Sequence, residues 1–189
     1  MPELPEVETT IKGLNILLNK KVIKVNVHIK KLRYIIPTNI DKLITDQRIV
    51  DIARIGKYIL VKFKNNITMI IHLGMSGRLK IKKKYFQKVK HDHFIINFSN
   101  NYVLIYNDPR RFGFIDIVKT TKLLNKKYIS SLGIDALSKK LTLNYMYGKI
   151  CKSTIPIKQL LLNQYIVGGI GNIYANEILF EAKISPLTL

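Results

Sequence analysis

Between Lys21 and Val118 the sequence returns again and again to short apolar runs: KVIKVNVHI, YILVKF, TMIIHL, HFIINF and YVLIY. This stretch constrains the fold more than any other feature. Side chains alternate faces along a strand, so a period of two buries one face of a sheet and cannot bury one side of a helix. The runs are rich in Val, Ile, Tyr and Phe, residues that suit a pleated, half-buried surface. Between them stand Lys64-Asn65-Asn66, Gly74 to Gly77, Ser99-Asn100-Asn101 and Asp108-Pro109, all with turn chemistry. Short strands at this spacing predict an antiparallel sandwich or barrel.

Both flanks read differently. Val7, Ile11, Leu14 and Leu18 follow i, i+4, i+7, i+11 spacing and predict an N-terminal helix. Pro2 and Pro5 stand at its start, where a missing N–H costs little, and Glu3, Glu6 and Glu8 crowd the positive end of its dipole. After Thr120, YISSLGIDALS, TLNYMYGKI, PIKQLLLNQ and NIYANEILFEA read as helices, broken by Gly133, Pro156 and Gly168-Gly169-Ile170-Gly171. The expected class is α+β: a helix and sheet domain over 1–120, a linker over 121–130 and a helical domain over 131–189. No internal repeat is visible.

Thirty-two Lys and Arg against twelve Asp and Glu leave a formal charge of +20. Such a field attracts polyanions, nucleic acid first among them. A coding bias toward Lys, Ile and Asn produces the same excess, so charge supports a nucleic-acid partner without establishing one. The lysine clusters at 80–84 and 88–90 read as solvated edges. Cys151, the one cysteine, excludes an internal disulfide and a Cys-rich zinc site within these residues, and is expected to be a buried or half-buried apolar thiol. No apolar run approaches the roughly 20 residues needed to span a bilayer, and the acidic N-terminus is unlike a secretory signal. The expected location is the cytoplasm.

Four clusters carry chemical potential. Removal of Met1 would expose the secondary amine of Pro2, and an α-amino group titrates at about 7.7–8.0. Such amines form Schiff bases, and Glu3 and Glu6, on one helix face, could relay protons; the same residues also suffice simply to cap a helix. Arg54-Ile55-Gly56-Lys57-Tyr58 forms a turn with a cation in it. His72-Leu73-Gly74-Met75-Ser76-Gly77 and Asn107-Asp108-Pro109-Arg110-Arg111-Phe112-Gly113 are glycine-bounded loops. Their Met75 and Phe112 either join the core or form an apolar wedge beside arginines. His91 and His93 share a strand face without further metal ligands. The Gly168–Gly171 turn leads into a helix whose N-terminus suits a phosphate, with Asn172 as a possible cap.

In this order, PELPEVET (2–9), GKY (56–58), HLGMSG (72–77), KHDH (90–93), NDPRRFG (107–113) and GGIGNIYANE (168–177) resemble the formamidopyrimidine-DNA glycosylase family of bacterial base-excision repair. Leu4 favours that branch over the endonuclease VIII-like relatives, which usually carry Gly there. The resemblance implies a β-sandwich followed by a helix–two-turn–helix DNA-binding domain. It also implies a bifunctional glycosylase and abasic-site lyase that flips out 8-oxoguanine or a formamidopyrimidine. Pro2 would attack C1′, Glu3 would protonate the sugar ring oxygen, and Lys57 would assist proton transfer. Glu6 completes the expected catalytic set. Met75, Arg110 and Phe112 would fill the gap left by the extruded base. His91, Lys152, Lys158 and Asn172 would contact the DNA backbone.

The implied partner is duplex DNA carrying oxidised purines or abasic sites, bound by a bacterial, nucleoid-associated monomer with no membrane contact. No cofactor is expected within these residues. The family's one structural zinc sits in a four-cysteine finger that follows the helical motif, and this sequence ends before it, at Leu189. The expectation is therefore a truncated relative in which abasic-site cleavage outlasts base excision. The alternative is an impaired or inactive chain that only binds damaged or abasic DNA.

Overall fold

The computed structural model describes residues 2–83 and 86–189. The expected removal of Met1, and Lys84 of the first lysine cluster, fall outside the described residues. The chain forms two compact units, one of Met1–Arg54 with Tyr58–Leu123 and one of Ile55–Lys57 with Leu124–Leu189.

The first unit opens with helix α1 (Leu4–Leu14), whose buried stripe is Leu4, Val7, Ile11 and Leu14. A tight turn over Asn15–Leu17 follows. Because that turn advances by three residues rather than four, Leu17 continues the buried stripe and the expected Leu18 is only partly covered. Eight strands come next, with a short helix, α2 (Ile40–Ile44), between the first two. They are β1 (Val22–Val27), β2 (Ile49–Ile55), β3 (Tyr58–Phe63), β4 (Ile67–His72), β5 (Arg78–Lys83), β6 (Asp92–Phe98), β7 (Tyr102–Asn107) and β8 (Phe114–Lys119).

These strands form two antiparallel sheets of four, ordered β1-β6-β7-β5 and β2-β3-β4-β8, so the sandwich is realised and not the barrel. Alternate residues meet between the sheets. Phe94, Ile96, Phe98, Leu104 and Tyr106 from one pack with Ile59, Val61, Phe63, Met69, Ile71 and Ile115 from the other, and α1 joins the same core. Each such fully buried aliphatic or Phe side chain contributes about 1.5–3 kcal/mol. Asn66, Asn100 and Asn101 take left-handed backbone angles, at φ 59°, 63° and 63°, which explains asparagine at those turns.

The second unit holds α3 (Lys127–Ser130), β9 (Ile134–Asp135), α4 (Leu143–Ile150), α5 (Ile157–Leu162), β10 (Val167–Gly168) and α6 (Asn172–Glu181). Its core is Leu161, Val167, Ile170, Ala175 and Leu179. YISSLGIDALS is not the helix its sequence predicts. Helix persists only through Ser130, and Ile134–Asp135 instead pairs in parallel with Val167–Gly168. Gly133 explains the break: its N–H donates to Gln164 O at 2.9 Å, and a Cβ there would stand 2.1 Å from Ile166 O. The backbone is committed to the neighbouring strand before a helix can continue. Cys151 also departs from expectation. It is exposed, at the C-terminal end of α4, a helix that buries none of its residues.

Candidate functional site

Helix α1 is closed at its N-terminus by a reciprocal cap. The Glu3 carboxylate accepts the Glu6 N–H, and the Glu6 carboxylate accepts the Glu3 N–H at 2.9 Å. Glu3 is buried at 1 % exposure, Glu6 is exposed, and Pro2 is half-buried. The cap therefore fixes Pro2 and Glu3 at the lip of the helix, with Glu6 as the residue that holds the Glu3 backbone. Arg54 Nε donates to Glu8 Oε1 and ties α1 to β2.

The two glycine-bounded loops form one unit built on Asp108. This side chain is wholly buried and accepts the Ser76 hydroxyl on Oδ1 and the Gly113 N–H, at 2.9 Å, on Oδ2. The Tyr106 hydroxyl lies 3.3 Å from Asp108 Oδ2 and 3.1 Å from His72 O. Burial first, then the Asp108 charge, raise the Tyr106 pKa far above its ordinary value and keep the phenol protonated. Arg110 N–H donates to Ser76 Oγ at 3.1 Å, locking one loop to the other. The loops approach so closely that a Cβ at Gly74, where φ is +61°, would stand 2.4 Å from Gly113 N.

From this base the candidate wedge residues project outward. Met75 is 43 % and Phe112 46 % exposed, and the Arg110 guanidinium lies 4.7 Å from the Phe112 ring centre. Spacing alone leaves both apolar side chains open to a place in the core; the structure puts both at the surface.

Arg111 adopts φ +57°, and its side chain lines a cavity of about 550 Å³ with His91, His28, Lys88, Lys90 and His93. Asp92 is the one acid among the described lining residues. Burial, with Lys88, lowers the His28 pKa, and burial lowers that of His93, whose Nε2 lies 3.0 Å from Asp108 O. The cavity is electropositive and anion-compatible. Sequence reasoning misses Arg111, because nothing in consecutive arginines says that a left-handed residue will divide them.

In the second unit, Lys57 is 8 % exposed and follows Gly56, whose N–H donates to Asp135 Oδ2 at 3.1 Å. Gln164 clamps the glycine turn: its Oε1 accepts the Gly169 N–H at 3.0 Å, and its Nε2 donates to Ile170 O at 2.7 Å. Neither Asp135 nor Gln164 carries a sequence signal. The helix α6 cap is Gly171, without a side-chain cap bond, so Asn172 is not the cap expected of it. Asn172 instead stands exposed at the first helical position, at the positive end of the α6 dipole. Lys158 is half-buried in the first turn of α5, and Lys152 is exposed in the connection before it. Thus Pro2, Glu3, Glu6, Met75, His91, Arg110 and Phe112 belong to the sheet unit, and Lys57, Lys152, Lys158 and Asn172 to the helical unit.

Among the described residues no helix is long and apolar enough to cross a membrane, and no three His, Cys, Asp or Glu side chains are placed to hold a metal. With one cysteine, these residues do not fit a four-thiolate zinc site.

The formamidopyrimidine-DNA glycosylase N-terminal domain model matches residues 1–115, and that family's H2TH domain model matches 132–189. The formamidopyrimidine-DNA glycosylase of Zymomonas mobilis is 44 % identical over 187 residues, covering 98 % of this chain and 68 % of the relative. The Lactococcus lactis enzyme, solved non-covalently bound to DNA containing an abasic site, superimposes with a TM-score of 0.91 at 32 % identity, over 99 % of this chain and 72 % of that one. The same enzyme in complex with N7-benzyl-Fapy-dG DNA gives 0.90, also at 32 %, over 99 % and 70 %. The chain belongs to the formamidopyrimidine-DNA glycosylase family.

Proposed function

We propose that this chain excises oxidised purines from duplex DNA and cleaves the resulting abasic site through a Schiff base on Pro2. The observation that carries the reading is the buried Glu3 carboxylate at the cap of α1, directly after Pro2. An amine nucleophile needs a neighbouring acid that is held in place and shielded from bulk water, and this pair has that arrangement.

The chemistry follows from those groups. The unprotonated Pro2 nitrogen attacks C1′, and the glycosidic bond breaks with its electron pair leaving on the base, which takes a proton from water. The proton shed by the newly bonded Pro2 nitrogen passes to the Glu3 carboxylate. Glu3 gives a proton to the ring oxygen as the C1′–O4′ bond opens, leaving an iminium on Pro2. Loss of a C2′ proton expels the 3′ phosphate, and a second elimination expels the 5′ phosphate. Glu6 acts as the positioning residue for Glu3. Lys57, buried beside a fixed turn, assists proton transfer. Met75, Arg110 and Phe112 enter the helix in place of the extruded nucleotide. His91, Lys152, Lys158 and Asn172 hold the DNA backbone, and their loss should flatten the salt dependence of binding by about 0.9 per contact. The Lactococcus relative's complexes with abasic-site and Fapy-type DNA support this substrate class. The working unit is a monomer on chromosomal DNA in the bacterial cytoplasm.

Borohydride trapping on a duplex with one abasic site tests the reading, using protein whose processed N-terminus has been confirmed by mass. A covalent adduct that vanishes when the terminal amine is blocked supports it. Binding without an adduct assigns the chain to damaged-DNA recognition without turnover.

A further inference from the structure

Strand β1 is an edge strand, and among the described residues β6 is its one partner strand. His28 N–H donates to His93 O at 2.8 Å, and the register matches Lys24 with Asn97 and Asn26 with Ile95. By alternation, the N–H and C=O groups of Val25 and Val27 point away from β6. Val22 also points outward, but its N–H donates to Gln47 O and its O accepts the Asp46 N–H, at 2.8 and 2.9 Å. The edge is therefore covered at its start and open from Val25 to Val27.

Beside the open stretch lies a groove of about 890 Å³ lined by Val25, Val27, Ile29, Ile35, Ile36 and Pro37. Val27 is 41 % and Ile35 69 % exposed. Lys30 and Lys31 rim the groove, Asp41 is the one acid among its described lining residues, and exposed Lys24 stands on the strand itself, so the basic groups outnumber the acidic one by three to one. An open edge next to apolar pockets is the geometry of β-strand addition, in which main-chain hydrogen bonds give affinity and alternate side chains fill the pockets.

We propose that this edge docks an extended segment of a partner protein in which apolar residues alternate with Asp or Glu. The charges choose among occupants. A second copy would bring its own Lys24, Lys30 and Lys31 against the same three lysines, so self-pairing is opposed. DNA would satisfy the lysines, yet its phosphates would face outward backbone carbonyls and leave the Val and Ile surfaces wet. An acidic, alternating strand meets all three features at once.

The test is fluorescence anisotropy with a short labelled peptide alternating Val or Ile with Asp or Glu. Its control has the same sequence N-methylated at alternate residues, which keeps charge and apolar content but removes the main-chain donors. The unmodified peptide should bind, and N-methylation should weaken binding by about tenfold or more. Ile35→Asp, at an exposed position, and Val27→Pro, which removes an outward N–H, should each cost about tenfold. Both variants should bind an abasic-site duplex as the parent does, so a failed peptide experiment is distinguishable from failed DNA recognition. Equal binding of the two peptides would overturn the proposal. So would loss of DNA affinity in both variants, which would make the groove a nucleic-acid site. A concentration-dependent dimer abolished by Ile35→Asp would overturn it as well, by making a second copy the occupant.

Discussion

Replacing Asp108 by Ala should unfold the loop pair before it touches any candidate catalytic group. The substitution strips the acceptor from the Ser76 hydroxyl and the Gly113 N–H, while the Tyr106 hydroxyl keeps His72 O within 3.1 Å. A buried donor left unmet costs about 1–3 kcal/mol. Gly113 N–H, fully enclosed, should cost near the top of that range, and the half-exposed Ser76 hydroxyl, which can turn to water, near the bottom. The sum is about 2–4 kcal/mol, or a fall of about 5–15 °C in Tm for a chain of this size. Asp108→Asn is the informative partner. Its amide oxygen can still accept the Gly113 N–H and its NH₂ can donate to Ser76 Oγ, so it should cost about 1 kcal/mol. Urea unfolding followed by the strand signal in circular dichroism measures both. The Ala variant should also lose affinity for an abasic-site duplex, because Met75, Arg110 and Phe112 stand on these loops. Indistinguishable Ala and Asn variants would refute the assignment of Asp108 as their anchor.

Gly113→Ala should destabilise, since its Cβ would stand 1.8 Å from the Tyr106 hydroxyl oxygen, whereas Gly13→Ala in α1, with nothing within 4 Å, should stabilise by about 0.5–1 kcal/mol; thermal melts that agree in sign would contradict this. Glu6→Ala should lower stability by about 1 kcal/mol and slow borohydride trapping, with Glu6→Gln recovering most of both, because a neutral amide oxygen still accepts the Glu3 N–H. Complete loss of trapping in Glu6→Gln would instead make Glu6 a proton donor. His93 is held below its ordinary pKa of 6.5 by burial. The unfolded chain then binds more protons than the folded one as pH falls below about 6.5, so this contribution is intact above that value and is lost as pH drops through the folded pKa. Urea midpoints of the parent and His93→Gln should therefore converge between about pH 7.5 and pH 5; parallel curves would exclude the effect.

What the sequence disclosed was whatever repeats along the chain. Period-two runs announced the strands, and Asn at left-handed turns announced the connections. Prolines and glutamates announced the cap of α1. What it hid depends on neighbours distant in sequence. Gly133 reads as a helix interruption, but its meaning as a strand contact resides in Ile166 O, 33 positions away (166 − 133). Met75 and Phe112 have core-like side chains, and only the buried carboxylate of Asp108 explains why they stand outside. Arg110 and Arg111 are adjacent and chemically identical, yet one stacks on Phe112 and the other enters the cavity of His91. A backbone dihedral, invisible in the letters, separates them.

The segment Ile55–Lys57, the last residue of β2 and the two-residue turn that leads into β3, belongs in space with the helical unit. The polypeptide thus crosses between units three times, after Arg54, after Lys57 and after Leu123. No single cut separates them as working pieces. A fragment of 124–189 would forfeit the Gly56 amide that Asp135 receives, and a circular permutant opened at the 123/124 junction would keep it. Recombination that swapped the helical portion alone would have to bring a compatible Gly56-Lys57 turn from elsewhere in the gene. For a lineage of enzymes, such an arrangement makes the two portions inherit as a pair.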